Sequence, residues 1–171
     1  MNLFSRDHCP GKVVYWNAPG GVTAIPFIIQ KSGNIFLNMQ LDNKPVVVGI
    51  TTDGPTIMGM KAAHSLFGLD ELAPQLAPQS GVRAPEGELM YRYPFQNLEM
   101  DRLKVANPAI LIAGEKPEPT CDAHLHVASN GDSYRCYGGG DIFLGQSTLR
   151  KLHLYFAFGE KMLYATAADA Q

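Results

Sequence analysis

Apolar and polar residues alternate with a period of two along much of the chain, which is the pattern of a half-buried β-strand. Residues 34–41 read NIFLNMQL, in which every second side chain is apolar. Asp42 and Asn43 follow as a two-residue turn, and residues 44–51 read KPVVVGIT as the returning strand. These segments predict a β-hairpin with one face of each strand buried.

Other short apolar runs, separated by turn residues, indicate further strands whose close spacing favours antiparallel pairing. We expect them at residues 13–16, 24–30, 88–95, 104–105, 109–113, 123–128, 133–137, 154–158 and 162–166. Short helices are expected near residues 61–67, with Gly68 as C-cap, and near residues 147–152. The proline-rich stretch 73–85 is predicted to be a polar loop. The fold class is therefore all-β with short helices.

Composition and charge narrow the classes of protein that this chain can be. Its 171 residues suit one domain, and 46% hydrophobic against 18% charged residues are enough to build a core. The net charge of −2 gives no reason to expect nucleic acid as a partner. No apolar run approaches the roughly 18 residues of a membrane span. We expect a globular domain.

Three cysteines allow at most one intrachain disulfide and leave one thiol over. A bridge between Cys121 and Cys136 would need a bulge or a longer loop in the hairpin predicted between them, so both the bridged and the free state stay open. The same cysteines with His124 and His126 match none of the common zinc spacings. We expect no metal site in this segment.

One segment, GITTDGPTIMG at residues 49–59, places a lone acid directly after a predicted strand. Considered without any relatives, Asp53 is most simply explained as a turn residue. Asp and Gly tolerate unusual backbone dihedrals, and Pro55 ends a strand. A catalytic role for Asp53 needs further support from the rest of the chain.

That support comes from three segments that together resemble the retropepsin-like aspartic peptidases, in particular bacterial aspartyl-protease family proteins. Residues 41–54 and 62–70, LDNKPVVVGITTDG and AAHSLFGLD, are similar to the hairpin, catalytic loop and following helix of that family. Residues 103–113, LKVANPAILIA, resemble its middle strands. Residues 138–168, GGGDIFLGQSTLRKLHLYFAFGEKMLYATAA, resemble its closing strands and short helix. The resemblance covers residues 25–168 and implies a retropepsin-like β-barrel.

The chain departs from this family at the decisive position. The family's loop carries Asp-Thr-Gly or Asp-Ser-Gly, whereas this chain has Thr52, Asp53 and Gly54. In extended backbone, a shift by one position turns a side chain to the opposite face. Asp53 would therefore need a local rearrangement, such as a bulge, to serve as the catalytic carboxylate. The resemblance implies that Thr52 and Gly54 shape the loop around it.

The resemblance implies an aspartic-type endopeptidase, in which two carboxylates from two paired domains share a proton and activate a water. The partners implied are a peptide or protein substrate and either an identical copy or a second peptidase-like domain. No cofactor is implied. One alternative is a degenerate peptidase-like domain that binds a peptide or a sister domain without cleaving it. Another is a plain β-barrel binding module.

Substrate contacts are also suggested by the resemblance. Gly145 is expected beneath the catalytic loop, and the region before residue 88 corresponds by position to the flap that closes over substrate. Gln79, Ser80 and Gly81 are expected at its flexible tip.

The sequence and the resemblance also predict the limits of the domain and its cellular location. Residues 1–19 are expected to be an extension or linker, and residues 20–171 the peptidase-like domain. The family's bacterial members are commonly exported, so the resemblance suggests a periplasmic or envelope location.

Overall fold

The computed structural model of the protein describes residues 21–31, 33–52, 54–83, 89–114 and 140–168. The strands predicted at residues 13–16, 123–128 and 133–137 lie outside them, as do all three cysteines. The boundary between the expected extension and the domain also lies outside them.

The described part of the chain consists of twelve strands and two short helices. Ten strands follow one hydrogen-bonded path in the order β11-β12-β1-β2-β3-β10-β4-β9-β6-β5, and β7 and β8 branch from β2. The elements are β1 (Thr23–Ile29), β2 (Ile35–Leu41), β3 (Lys44–Ile50), β4 (Thr56–Gly59), α1 (Met60–Phe67), β5 (Ala77–Arg83), β6 (Leu89–Arg92), β7 (Asn97–Met100), β8 (Leu103–Ala106), β9 (Ile110–Ala113), β10 (Ile142–Leu144), α2 (Gln146–Leu149), β11 (Leu152–Ala157) and β12 (Met162–Ala167). The all-β prediction is confirmed.

The β2–β3 hairpin forms as predicted. Asp42 and Asn43 have φ angles of 47° and 64°, the left-handed conformation that a tight two-residue hairpin turn requires. The Asp42 side chain also accepts hydrogen bonds from the backbone N–H groups of Gln96 and Asn97, at 2.9 and 2.8 Å. The turn residue thus connects this hairpin to the beginning of β7.

Helix α1 ends where the sequence predicts. Gly68 takes the left-handed conformation at φ 67°, and its N–H donates to the carbonyl of His64. The Lys44 ammonium donates to the carbonyl of Leu66 and lies 5.0 Å from the centre of the Phe67 ring. A cation at the C-terminal end of a helix interacts favourably with the helix dipole.

Two predictions of secondary structure are wrong, and two short strands were missed. Residues 77–83 form β5 and not a loop, because pairing with β6 overrides the poor strand propensity of the sequence APQSGVR. The helix near residue 147 stops at Leu149, since Leu152 already pairs with Ala167 in the next strand. The strands β4 and β7, only four residues each, were not predicted.

Most buried apolar side chains form one cluster, and Met90 and Leu111 form a second, smaller one. Leu37, Met39 and Leu41 of β2 are all buried, as the alternating pattern predicts. Tyr91 and Phe95 are also buried. From Leu37 to Leu41 of β2, burial follows the period of two seen in the sequence.

The C-terminal hairpin carries a pH-sensitive contact. The Tyr164 hydroxyl donates to Glu160 Oε2 at 2.9 Å, and this hydrogen bond, assisted by burial, raises the pKa of Tyr164 above its ordinary value of 10.0. The folded state thus holds this proton to higher pH than the unfolded chain does. Its stabilisation is complete below pH 10 and is lost as the pH rises through the folded-state pKa.

We therefore expect the free energy of unfolding to decrease above about pH 10, and Tyr164→Phe to make that decrease shallower. Urea unfolding at a series of pH values from 8 to 11 measures the slope. Tyr93→Phe removes a half-buried hydroxyl elsewhere and is the control. Burial and the nearby Glu71 also raise the pKa of Tyr91, so part of the slope should persist in the variant. Equal slopes in wild type and Tyr164→Phe would contradict the prediction.

Candidate functional site

The candidate site is the connection between β3 and β4, residues 51–55. These two strands do not pair with each other, because β10 lies between them, parallel to β3 and antiparallel to β4. Leu144, the last residue of β10, accepts a hydrogen bond from the N–H of Thr51 at 3.0 Å. The connection therefore crosses the end of β10 and is held to it at its first residue.

The far end of the connection is held by the helix that follows β10. The Ser147 N–H donates to the carbonyl of Gly54 at 3.3 Å, and Ser147 Oγ accepts from the N–H of Thr56 at 3.0 Å. Gly54 has φ 43°, and a Cβ placed there would meet no atom within 4 Å. Glycine is thus favoured here by the backbone bend and not by lack of space.

A cluster of hydroxyl groups lies directly beneath the connection. Thr56 is fully buried, and its Oγ1 is 2.7 Å from Thr148 Oγ1. The N–H of Gly145 donates to the same Thr56 Oγ1 at 3.2 Å. Buried hydroxyls are costly unless they are hydrogen-bonded, and here the Thr56 hydroxyl has two close polar partners.

The structure brings together three of the residues that the resemblance suggested. Thr52 is exposed on the connection, Gly54 is anchored near its end, and Gly145 is buried beneath it. Asp53 lies outside the described residues. The structure thus describes both sequence neighbours of the candidate carboxylate.

The suggested flap residues are in a different position from the one expected. Gln79, Ser80 and Gly81 belong to β5, which pairs antiparallel with β6, and they precede residues 84–88, which lie outside the described ranges. On the sheet path, β9 and β6 separate β5 from β4. The three residues are therefore part of β5 and not of a loop, in the stretch where its register with β6 shifts.

Sequence analysis missed the hydroxyl cluster of Thr56, Ser147 and Thr148. Threonine and serine beside glycine and proline are ordinary turn residues, so no local signal marks them. The available signal is positional. Thr56 lies two residues after Gly54, and Ser147 lies two residues after Gly145 in another resembling segment. Only the insertion of β10 between β3 and β4 brings the two together.

Two other residues have structural roles near β10. Asp141 Oδ2 accepts the N–H of Val47 at 2.8 Å, at the entry to the strand. A Cβ on Gly140 would lie 2.9 Å from the Phe36 ring, so close backbone approach explains this glycine.

Other features of the described surface do not coincide with this site. A depression of about 300 Å³ beside α1 is lined by Met60, His64, Asp70, Glu71 and Leu72, none of which belongs to the connection. Within the described ranges, no three His, Cys, Asp or Glu side chains are grouped to hold a metal ion. No helix in the part of the chain that the structure describes is long and apolar enough to cross a membrane.

Comparison with known proteins supports the fold. No model of a known protein family matches the chain. No curated protein matches it either. Among solved structures, the chain is similar to the crystal structure of a retropepsin-like aspartic protease from Rickettsia conorii, with a TM-score of 0.54 and 13% identity over 91% of this chain and 99% of the other. At this identity the likeness concerns the fold, which is retropepsin-like as expected.

Proposed function

We propose that this chain is an aspartic-type endopeptidase domain in which Asp53 supplies one of two catalytic carboxylates. The observation that carries the proposal is the anchored connection between β3 and β4, which contains a single acid in a retropepsin-like fold. Thr51 is anchored before Asp53 and Gly54 after it, so the backbone on either side of the acid is held by hydrogen bonds. A carboxylate must be held in this way to act as a base.

The chemistry requires a second carboxylate close to the first. Two acids about 3 Å apart cannot both ionise, so one stays protonated and the pair titrates as a unit. The ionised member takes a proton from water as the water oxygen attacks the peptide carbonyl carbon. The protonated member donates its proton to the carbonyl oxygen. Because the connection carries one acid, we propose that a second copy of this domain, or a sister domain, supplies the other.

The order Thr52, Asp53, Gly54 fits the proposal if the connection is not an extended strand. Side chains alternate between faces only in extended backbone. β3 ends at Ile50, β4 begins at Thr56, and Gly54 has φ 43°. The alternation rule therefore does not extend through the connection, and it does not require Asp53 to face away from the site.

The remaining site residues have proposed roles in substrate binding. Gln79, Ser80 and Gly81 would contribute through the β5–β6 hairpin, which we propose closes over a bound peptide, as a hairpin arm excludes water in other enzymes. Gly145 would support the floor of the site through its N–H bond to Thr56.

The test is cleavage of a mixed peptide library by the purified chain between pH 3 and 7. We expect cleavage whose rate per molecule of protein increases with protein concentration, because two copies form one site. A rate per molecule that stays constant down to concentrations at which the chain is monomeric would contradict the homodimer. Absence of cleavage at every pH and concentration would contradict the proposal as a self-sufficient peptidase. A peptide-binding domain, or one half of a site completed by a sister domain, would then be the better description.

A further inference from the structure

Three hydroxyl residues link the two ends of the candidate site through atoms that are all described. Thr56 and Thr148 are 0% and 3% exposed, and Ser147 is half-buried. Thr56 begins β4 directly after the connection, whereas Ser147 and Thr148 belong to the helix that follows β10. The hydroxyl cluster therefore joins two segments about 90 residues apart in the chain.

The hydrogen bonds of this cluster involve both backbone and side-chain atoms. A hydroxyl has one donor and two acceptor positions. Thr56 Oγ1 accepts from the N–H of Gly145 at 3.2 Å and forms a hydrogen bond with Thr148 Oγ1 at 2.7 Å, in which either hydroxyl can donate. Ser147 accepts from Thr56 N–H at 3.0 Å through its Oγ and donates its own N–H to Gly54 at 3.3 Å. Gly54 and Thr56 are thus joined to Gly145 and α2 by these four hydrogen bonds, and Thr56 Oγ1 also lies 3.5 Å from Ser147 Oγ.

Packing alone does not explain the residue type at position 56. Valine has nearly the same shape as threonine and would fill the same buried space without a polar group to satisfy. A buried hydroxyl is useful where specific atoms must be held, since a hydrogen bond has a preferred distance and angle and an apolar contact does not.

We infer that Thr56, Ser147 and Thr148 are positioning residues that hold Gly54 and the start of β4 against α2, and that they act on the proposed reaction through this placement. The catalytic part of this inference rests on the proposed function. Thr56 is the central residue, because its hydroxyl contacts both Gly145 and Thr148. The three side chains contact the connection and its support, and the proposal gives them no contact with the substrate.

The experiment compares Thr56→Val, Thr56→Ser and the wild type. Thr56→Val removes the hydroxyl at nearly constant volume, and Thr56→Ser restores it. The matched control is Thr23→Val, because Thr23 is equally buried at 3% but lies in β1, opposite Ala165. Two quantities are measured on the full chain: peptide-cleavage kinetics, and hydrogen exchange of the Gly145 and Ser147 amides.

We expect Thr56→Val to lower kcat by about 10- to 100-fold, because a misplacement of about 1 Å is enough for a loss of that size. KM should change by less than about twofold, since substrate binding is not altered directly. Thr56→Ser should recover most of kcat, and Thr23→Val should leave it unchanged. Exchange of the Gly145 amide should be about tenfold faster or more in Thr56→Val, because its acceptor is gone.

Other outcomes separate this inference from the proposed function. If the wild type cleaves peptides and Thr56→Val has the same kcat, the positioning role is wrong. If the wild type cleaves nothing, the self-sufficient peptidase fails, and hydrogen exchange alone decides the inference. Faster hydrogen exchange of the Gly145 amide in Thr56→Val than in Thr23→Val then supports the structural part of the inference. Equal exchange in the two variants overturns it. Should Thr56→Val not fold, Ser147→Ala tests the same link by removing the acceptor of the Thr56 N–H.

Discussion

Replacing Asp53 by Asn is expected to abolish peptide cleavage. Asparagine keeps the size of the side chain and its ability to accept hydrogen bonds, but it cannot take a proton from water at neutral or acidic pH. Loss of one member of a catalytic unit commonly reduces kcat by about 10⁴-fold or more. The measurement is the cleavage rate of the same peptide library between pH 3 and 7, for wild type and Asp53→Asn side by side.

The matched control is Asp101→Asn. Asp101 is exposed in the turn between β7 and β8, where its φ of 51° suits asparagine as well as aspartate. This variant removes the same charge and should cleave at the wild-type rate. If both variants lose activity, the effect comes from net charge or folding and not from the candidate site.

Mixing the wild type with Asp53→Asn tests whether two copies share one site. With equal amounts and random exchange of partners, roughly one quarter of the pairs contain two aspartates. Activity should then fall to about a quarter of that of the same total amount of wild type, and not to a half. A value of one half would indicate that each chain is a complete site, and the shared dyad would be wrong.

Replacing Gly49 by Ala is expected to have the second-largest effect, on stability. Gly49 lies in β3 opposite Phe143 of β10 and opposite Phe36 of β2. A Cβ at position 49 would lie 2.6 Å from Phe143 Cδ1 and nearer still to Cε1. The Phe143 ring packs edge-on against Phe36, with centroids 6.0 Å apart, so it has little room to withdraw. We expect a loss of about 1–3 kcal/mol in the free energy of unfolding.

A double-mutant cycle identifies the cause of this loss. If the overlap with Phe143 is responsible, Gly49→Ala should cost at least about 1 kcal/mol less when Phe143 is already replaced by Leu. Gly159→Ala is the control, because a Cβ at Gly159 would meet no atom within 4 Å. Urea unfolding of the five proteins gives the required free energies. An equal cost of Gly49→Ala in both backgrounds would contradict the steric explanation.

Much of the fold follows from local pattern. The period of two in residues 35–41, together with the Asp42-Asn43 turn, determines the β2–β3 hairpin and the face that it buries. The apolar positions of residues 60–67 and the following Gly68 determine α1 and its end. These elements were predictable because their signals lie within a few residues of each other, where strand alternation, turn dihedrals and helix capping act directly.

Only the tertiary structure decided the rest. β5 is a strand because β6 pairs with it, although Pro78, Ser80 and Gly81 disfavour that conformation. The short β4 exists because β9 and β10 pair with it on either side. No periodicity could reveal that β10 separates β3 from β4, since the partners are distant in sequence.

The same division applies to the candidate site. The sequence by itself identified the segment from Thr52 to Gly54 and the glycine at 145, through their position after apolar strands and their resemblance to a known family. The bonds that join Thr56 to Gly145 and Thr148 were decided by the fold alone. The sequence around a hydroxyl residue does not indicate which group will be its hydrogen-bond partner. Its hydrogen bond exists only once the chain has brought the two groups within 3 Å or so and removed the water between them.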